Sequence, residues 1–156
     1  MEFVSFQSKD VPAVVSFFRE IFQESGWKEE PSDYIDHPDV LFHVPNNGFL
    51  LLVKEDGELI GTAGVIKMND TEGLLKRFYV KKSYRDSGIA QQLLNHVITE
   101  AKVHSVTKLI LDVSKNNIPA IKFYEKSGFL QTAVVPEKDW PESNFPETHL
   151  YFYKVI

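Results

Sequence analysis

Apolar and polar positions alternate over Glu2-Phe3-Val4-Ser5-Phe6, the period of a half-buried strand, and Asp10 then precedes a run with helical spacing. Val11, Val14, Val15, Phe18, Ile21 and Phe22 share one face of that helix, and Gly26 predicts its end. From there to Asn47 the chain is rich in Pro, Asp and Glu and reads as a helix-and-loop cap, with a short helix around Ser32 to Asp36. Phe49 to Lys54 and Leu59 to Met68 are two strands joined by Glu55-Asp56-Gly57-Glu58, whose Asp-Gly pair predicts an antiparallel hairpin.

A second turn, Asn69 to Gly73, leads into a third strand, Leu74 to Val80. The period then changes. Ile89/Ala90, Leu93/Leu94, Val97/Ile98 and Ala101 recur every four residues, which predicts a helix with a broad buried stripe, and Lys108 to Val113 follows as a mostly apolar strand. Strand, helix and strand in that order predict a parallel crossover. Another helix is expected from near Asn117, with Pro119 in its first turn, to Gly128. Phe129 to Val135 and Leu150 to Val155 read as two last strands around a long loop, Glu137 to Glu147. The fold class is therefore α/β, a mixed sheet with antiparallel strands first and one central parallel strand-helix-strand crossover, in a single domain over residues 1–156.

Composition narrows the functions. The 156 residues are 43% hydrophobic and 25% charged, as in ordinary globular domains. No apolar run approaches the roughly 20 residues of a spanning helix, so no membrane partner is expected. Nothing at Met1 to Ser5 reads as a secretory signal, and a cytoplasmic location is expected. The absence of cysteine excludes disulfides, thiolate metal sites and cysteine nucleophiles. A net charge of -5 is the wrong sign for a general nucleic-acid binder. The five histidines, at 37, 43, 96, 104 and 149, show no metal-ligand spacing, and no metal is expected.

Chemistry concentrates in Val80-Lys81-Lys82-Ser83-Tyr84-Arg85-Asp86-Ser87-Gly88-Ile89-Ala90, a strand end, a loop and a helix start. Uncapped N–H groups and the positive end of a helix dipole make such a turn an anion site, and Gly88 lets a phosphate approach the backbone. A purely structural reading stands beside it, in which Asp86 or Ser87 is an N-cap and Gly88 a tolerated small residue. Arg85-Asp86-Ser87-Gly88-Ile89-Ala90 matches the cofactor signature of the GNAT superfamily of acetyl-CoA-dependent N-acetyltransferases: Arg or Gln, two residues, Gly, one residue, then Gly or Ala. Asn117-Ile118-Pro119-Ala120-Ile121-Lys122-Phe123-Tyr124-Glu125-Lys126-Ser127-Gly128-Phe129 resembles the second block of that superfamily, N-x-x-A-x-x-x-Y-x-x-x-G-F. The resemblance runs from Phe49 to Phe129.

The resemblance implies the GNAT acyl-CoA N-acyltransferase fold and acetyl-CoA as donor. Arg85, Asp86, Ser87, Gly88, Ile89 and Ala90 would receive the pyrophosphate, Phe78 and Val80 would pair with the pantetheine arm, and Asn117 would bind the arm near its amides. That arm lies between strands ending at Val80 and Val113. Asp86 departs from the Gly of many members. Tyr124 would direct its hydroxyl at the sulfur and protonate the departing thiolate; a phenol with a pKa near 10 suits that task. Packing on an amphipathic helix is its structural reading. Asp112 interrupts an apolar strand where some members carry a Glu base, and is the first candidate for general base, with Glu72 and Glu55 as alternatives.

The expected reaction moves an acetyl group to a primary amine by direct attack in a ternary complex. Glu20, Glu24, Glu29, Glu30, Asp33, Asp36 and Asp39 crowd the end of the first helix and the cap, which the resemblance implies borders the acceptor site, and would draw a cationic acceptor, so a small cationic amine is slightly preferred to a protein N-terminus or lysine. A solvated acidic surface is the plainer reading of the same residues. Tyr34, Trp27 and Trp140 either supply an aromatic wall to the acceptor site or are core residues. A non-catalytic acyl-CoA sensor is the rival reading, and the aromatic end Leu150-Tyr151-Phe152-Tyr153 either pairs across a homodimer or finishes the sheet.

Overall fold

The computed structural model describes residues 1–44, 47–133 and 147–156. The opening strand β1 (Glu2–Ser5) runs into helix α1 (Val11–Ser25), which ends at Gly26 in the left-handed conformation, φ 68°. Val14, Phe17, Phe18, Ile21 and Phe22 form its buried face, while Val11 and Val15 are only partly covered. The short helix expected over Ser32 to Asp36 is instead a 3-10 turn, Pro31–Asp33, followed by helix α2 (Pro38–Leu41). Pro31 and Pro38 each occupy a first turn, and a proline there starts a helix but cannot continue one, so the segment breaks in two.

Strands β2 (Gly48–Glu55) and β3 (Glu58–Lys67) form the expected hairpin, with Asp56 at φ 48° and Gly57 at φ 83°, the two positive angles that a tight hairpin turn needs. Strand β4 (Glu72–Val80), helix α3 (Ile89–Val103) and strand β5 (Lys108–Ser114) make the crossover, and β4 and β5 are parallel. Helix α4 (Ile118–Lys126) carries Pro in its first turn and stops before Gly128, φ 83°. Strand β6 covers only Leu130–Thr132, shorter than expected; positions 134 and 135 lie outside the described residues, as do Trp140 and most of the loop before Glu147.

Among the described residues seven strands form one sheet in the order β1-β2-β3-β4-β5-β7-β6, where β7 is His149–Val155. The aromatic end finishes the sheet: β7 pairs with β5 on one side and β6 on the other, with Tyr151 opposite both Asp112 and Thr132. One face buries Leu51, Val53, Leu75, Leu109 and Leu111 against Leu93, Leu94 and Val97 of α3 and Tyr124 of α4. The opposite face buries Leu50, Leu52, Leu74, Ile110 and Tyr151 against α1 and Phe42 of the cap. A sheet covered on both faces reads as continuous apolar runs in its central strands, as β2 and β3 do.

Candidate active site

Strands β4 and β5 pair at only three positions, Glu72 with Lys108, Gly73 with Leu109 and Leu74 with Ile110. Beyond them β4 continues to Val80 with no described strand on that side, while β5 turns its other edge to β7 as far as Ser114. A bulge in β4 accompanies the separation. Tyr79 lies opposite Thr62 and Lys76 opposite Gly64, so the chain between them carries one extra residue. Arg77 takes φ 52° there, and the buried Thr62 Oγ1 donates to its carbonyl at 2.8 Å. The extra residue also resets the alternation of side chains: Leu75 and Phe78 meet the α3 and α4 face, whereas Leu74 and Tyr79 meet the α1 face. The result is a wedge-shaped gap along a stretch of β4 edge that no described strand covers, the form that accepts an extended ligand as an added strand.

At the mouth of the wedge the chain passes through a 3-10 turn (Lys82–Tyr84), then Asp86 at φ 62° and Gly88 at φ 85°. Gly88 is the N-cap of α3 and no side chain caps the helix, so neither Asp86 nor Ser87 fills the capping role that the sequence offered them. Ser87 Oγ donates instead to Tyr84 O at 2.5 Å. The first-turn N–H groups of α3 are left for an anion, and a Cβ built on Gly88 would meet nothing within 4 Å. Arg85 is tied back, its Nε donating to Val80 O at 2.9 Å and its Nη2 to Glu24 at 2.7 Å. Lys81 pairs with Glu58 at 2.6 Å and Glu20 at 3.3 Å.

Tyr124 stands on the α4 side of the wedge, buried among Phe78, Phe123 and Phe129 with ring centroids 5.5–6.1 Å away. Burial pushes its phenol up, and the nearby Tyr79 and Asp112 add to that, so the group stays protonated at neutral pH. Its hydroxyl has no hydrogen bond to a described residue. Asn117 is the N-cap of α4, its Oδ1 accepting from Ala120 N at 3.3 Å, which leaves the amide nitrogen for other partners.

Asp112 alternates with Ile110 along β5 and so faces α1, on the side of the sheet opposite Tyr124. Its side chain is 15% exposed, and His149 Nε2 lies 3.9 Å from Oδ2. The two alternative bases lie elsewhere. Glu72 sits at the closed end of the wedge, where Lys108 at 2.9 Å and Asn69 at 2.7 Å hold its carboxyl below the usual range. Glu55 pairs with the N-terminal ammonium at 3.1 Å at the hairpin end. Of the three acids, Asp112 alone is at the open half of the gap.

The acidic cap is less of an electrostatic lure than its composition suggests. Glu29 and Asp36 bind Arg19 at 3.0 Å each, Asp33 binds Arg77 at 2.9 Å, Glu24 binds Arg85 and Glu20 binds Lys81. Five of its seven carboxylates are thus ion-paired, but they share four cations, Arg19 serving two and Lys81 also serving Glu58, so part of the negative charge remains. Trp27 packs on Phe22 and Tyr79 at 5.5 and 6.1 Å, and Tyr34 is exposed. Among the described residues no cluster of three acids or histidines could hold a metal ion, and no helix is long and apolar enough to cross a membrane.

Three residues of this region escaped the sequence reading: Thr62, Arg77 and Tyr79. The single trace of them is the charged pair Lys76-Arg77 inside an otherwise apolar strand.

Comparison with known proteins places this arrangement. An uncharacterized N-acetyltransferase of Mycobacterium bovis is 30% identical over 80 residues, 51% of each chain, so the chain spans about half the length of the curated relatives it first matches. A spermidine N(1)-acetyltransferase of Vibrio cholerae is 26% identical over 120 residues, 73% of this chain and 69% of that one. The crystal structure of a GNAT-family acetyltransferase from Staphylococcus aureus superposes with a TM-score of 0.84 at 21% identity, covering 99% of this chain and 98% of that chain. The model of the acetyltransferase (GNAT) family, whose acyl donor is acetyl-CoA, matches residues 11–129, and the chain belongs to that family.

Proposed function

We propose that the protein is an N-acetyltransferase that moves an acetyl group from acetyl-CoA to a primary amine in a ternary complex, within one domain over residues 1–156. The observation that carries this reading is the wedge that opens beyond Leu74 and Ile110, with Tyr124 on one face of the sheet and Asp112 on the other. Its residues fit the donor. The uncapped start of α3, with Arg85, Asp86, Ser87, Gly88, Ile89 and Ala90, takes the pyrophosphate through backbone N–H groups. The edge of β4 at Phe78 and Val80, covered by no described strand although Arg85 already donates to Val80 O, receives the pantetheine arm, Asn117 offers it an amide donor, and the thioester comes to rest near Tyr124.

Direct attack needs a neutral amine on the side away from the leaving sulfur, an oxyanion partner and a proton for the thiolate. Asp112 faces the correct side to accept the amine's proton, directly or through one water, and a backbone N–H near Val80 meets the oxyanion. Tyr124, kept neutral by burial, protonates the thiolate. A small cationic amine is the preferred acceptor. The net charge of -5 and the polyamine acetyltransferase among the relatives support that preference; the paired acids of the cap do not add to it.

Calorimetric titration with acetyl-CoA, with NAD and ATP as controls, followed by thiol release on an amine panel, tests the reading. Binding of acetyl-CoA alone together with turnover of a cationic amine is expected. Binding without turnover would turn the reading toward a non-catalytic acyl-CoA sensor. No binding up to about millimolar, roughly -4 kcal/mol, would leave the fold without its donor.

A further inference from the structure

The bulge residue Arg77 is the one strongly buried cation in the described part of the molecule with a carboxylate from the cap. Its side chain is 11% exposed and lies against Phe18 and Phe22 of α1, with Cζ 5.7 and 5.1 Å from the ring centres. Nη2 donates both to the backbone carbonyl of Asp33 at 3.0 Å and to its carboxylate at 2.9 Å, and Nη1 donates to the Tyr79 hydroxyl at 3.3 Å. Nε is buried with no hydrogen-bond partner in the described residues, which leaves Asp33 and Tyr79 as its hydrogen-bonding links. Asp33 closes the Pro31–Asp33 turn by accepting from Glu30 N at 2.9 Å. One guanidinium thus joins three things: the bulge that opens the wedge, the phenol of Tyr79 on the α1 face, and a cap turn 44 residues away in sequence.

We propose that Arg77 is a positioning residue for the acceptor amine. This inference rests on the acetyltransferase reading above, because it needs the donor on the α4 side of the wedge and the acceptor on the α1 side. The acceptor side is walled by Tyr79, Asp112, α1 and the 31–33 turn, and Arg77 sets the distance between the first and last of these. Arg77 accepts nothing, so its hydrogen bond to Tyr79 uses the phenol oxygen and turns the phenol's own proton away from the guanidinium, a fixed donor on the wall. A planar fork can satisfy Asp33 and Tyr79 together while its faces lie on aromatic rings, and a lysine ammonium cannot. The donor side has no such dependence. The wedge is held by Thr62 bonding to the backbone carbonyl of Arg77, which any side chain at 77 retains.

Steady-state kinetics of Arg77→Met, Arg77→Lys and Asp33→Asn with the best amine of the panel, beside calorimetry with acetyl-CoA, separate the possibilities. In Arg77→Met the acceptor KM rises at least tenfold, kcat stays within threefold and acetyl-CoA affinity stays within twofold; Arg77→Lys is intermediate. Asp33→Asn keeps the backbone acceptor and has a smaller effect, and adding it to Arg77→Met changes the KM no further, as for two members of one contact. A lowered melting temperature with both KM values unchanged would make Arg77 a structural staple only and overturn the proposal, as would parallel weakening of acetyl-CoA. If the wild type acetylates no amine, the acetyltransferase reading fails, and hydrogen exchange still judges the coupling: Arg77→Met must speed exchange over residues 30–36 by tenfold and leave 86–92 unchanged. Equal exchange in both segments would overturn it.

Discussion

Leu74 and Ile110 are the last residues at which β4 and β5 lie side by side, and just beyond them β4 bulges, with Thr62 Oγ1 donating to Arg77 O on its far edge. Without that bond the Arg77 carbonyl loses its side-chain partner, and the guanidinium contacts to Asp33 and Tyr79 are what still hold the bulge. Thr62→Val keeps the shape of a fully buried side chain and removes that bond, leaving the Arg77 carbonyl short of a partner. The expected cost is about 1–2 kcal/mol in urea denaturation, with acetyl-CoA affinity falling at least fivefold in calorimetry. Unchanged affinity alongside the stability loss would mean that the wedge stands without the bulge anchor.

Gly88 separates backbone demand from ligand approach. At φ 85° a non-glycine residue is strained by about 1–2 kcal/mol, yet a Cβ there meets no protein atom within 4 Å. Asparagine tolerates the left-handed region better than alanine, so Gly88→Asn should melt closer to the wild type than Gly88→Ala does. If a pyrophosphate packs against the backbone at this point, both variants lose acetyl-CoA affinity by at least tenfold. Affinity that follows the melting temperature, with Asn spared, would remove the phosphate from Gly88.

Tyr124 links the reaction to alkaline stability. Its folded pKa is raised above the ordinary phenol value by burial, then by Tyr79 and Asp112. The folded state therefore holds the proton more tightly than the unfolded chain, and the associated stability is complete below about pH 10 and drains away as pH rises beyond it. Tyr124→Phe should flatten part of that alkaline decline while lowering kcat at least tenfold with acetyl-CoA affinity retained. Because the phenol stays protonated, no activity limb below pH 10 should vanish in this variant. A kcat equal to wild type would return Tyr124 to a packing role.

Much of this architecture was legible because its signals are local. Asp56-Gly57 fixed a hairpin through two positive φ angles, and the four-residue recurrence from Ile89 to Ala101 is the buried stripe of α3. The Arg85 to Ala90 signature likewise lies within one turn. What stayed hidden depends on pairings distant in sequence. The bulge at Arg77 shows in β4 only as the adjacent charges Lys76-Arg77, since both faces of that strand are covered and the flanking Leu74-Leu75 and Phe78-Tyr79 are apolar in either register. The acids of the cap looked like a surface field because their partners, Arg19, Arg77, Lys81 and Arg85, come from α1, β4 and the loop before α3. The capping role open to Asp86 and Ser87 goes unfilled for a local reason: Gly88 itself takes the N-cap position, and the serine hydroxyl bonds to Tyr84 O.

The cap is seated by Phe42, a fully buried ring that lies over Gly64 of β3. A Cβ at Gly64 would enter the Phe42 ring at Cε1, Cζ and Cδ1, and that ring is boxed in on the α1 face, so it has no room to yield. Gly64→Ala should therefore cost about 2 kcal/mol or more through overpacking, and it should do so by lifting the cap. The double variant Gly64→Ala with Phe42→Leu is the control, because a smaller side chain makes room for the new methyl group. Recovery of at least half the lost stability is expected in urea denaturation, together with recovery of acceptor KM if the cap borders the amine. Additive losses in the double variant would mean that Phe42 and Gly64 stabilise the fold independently and that the cap is seated elsewhere.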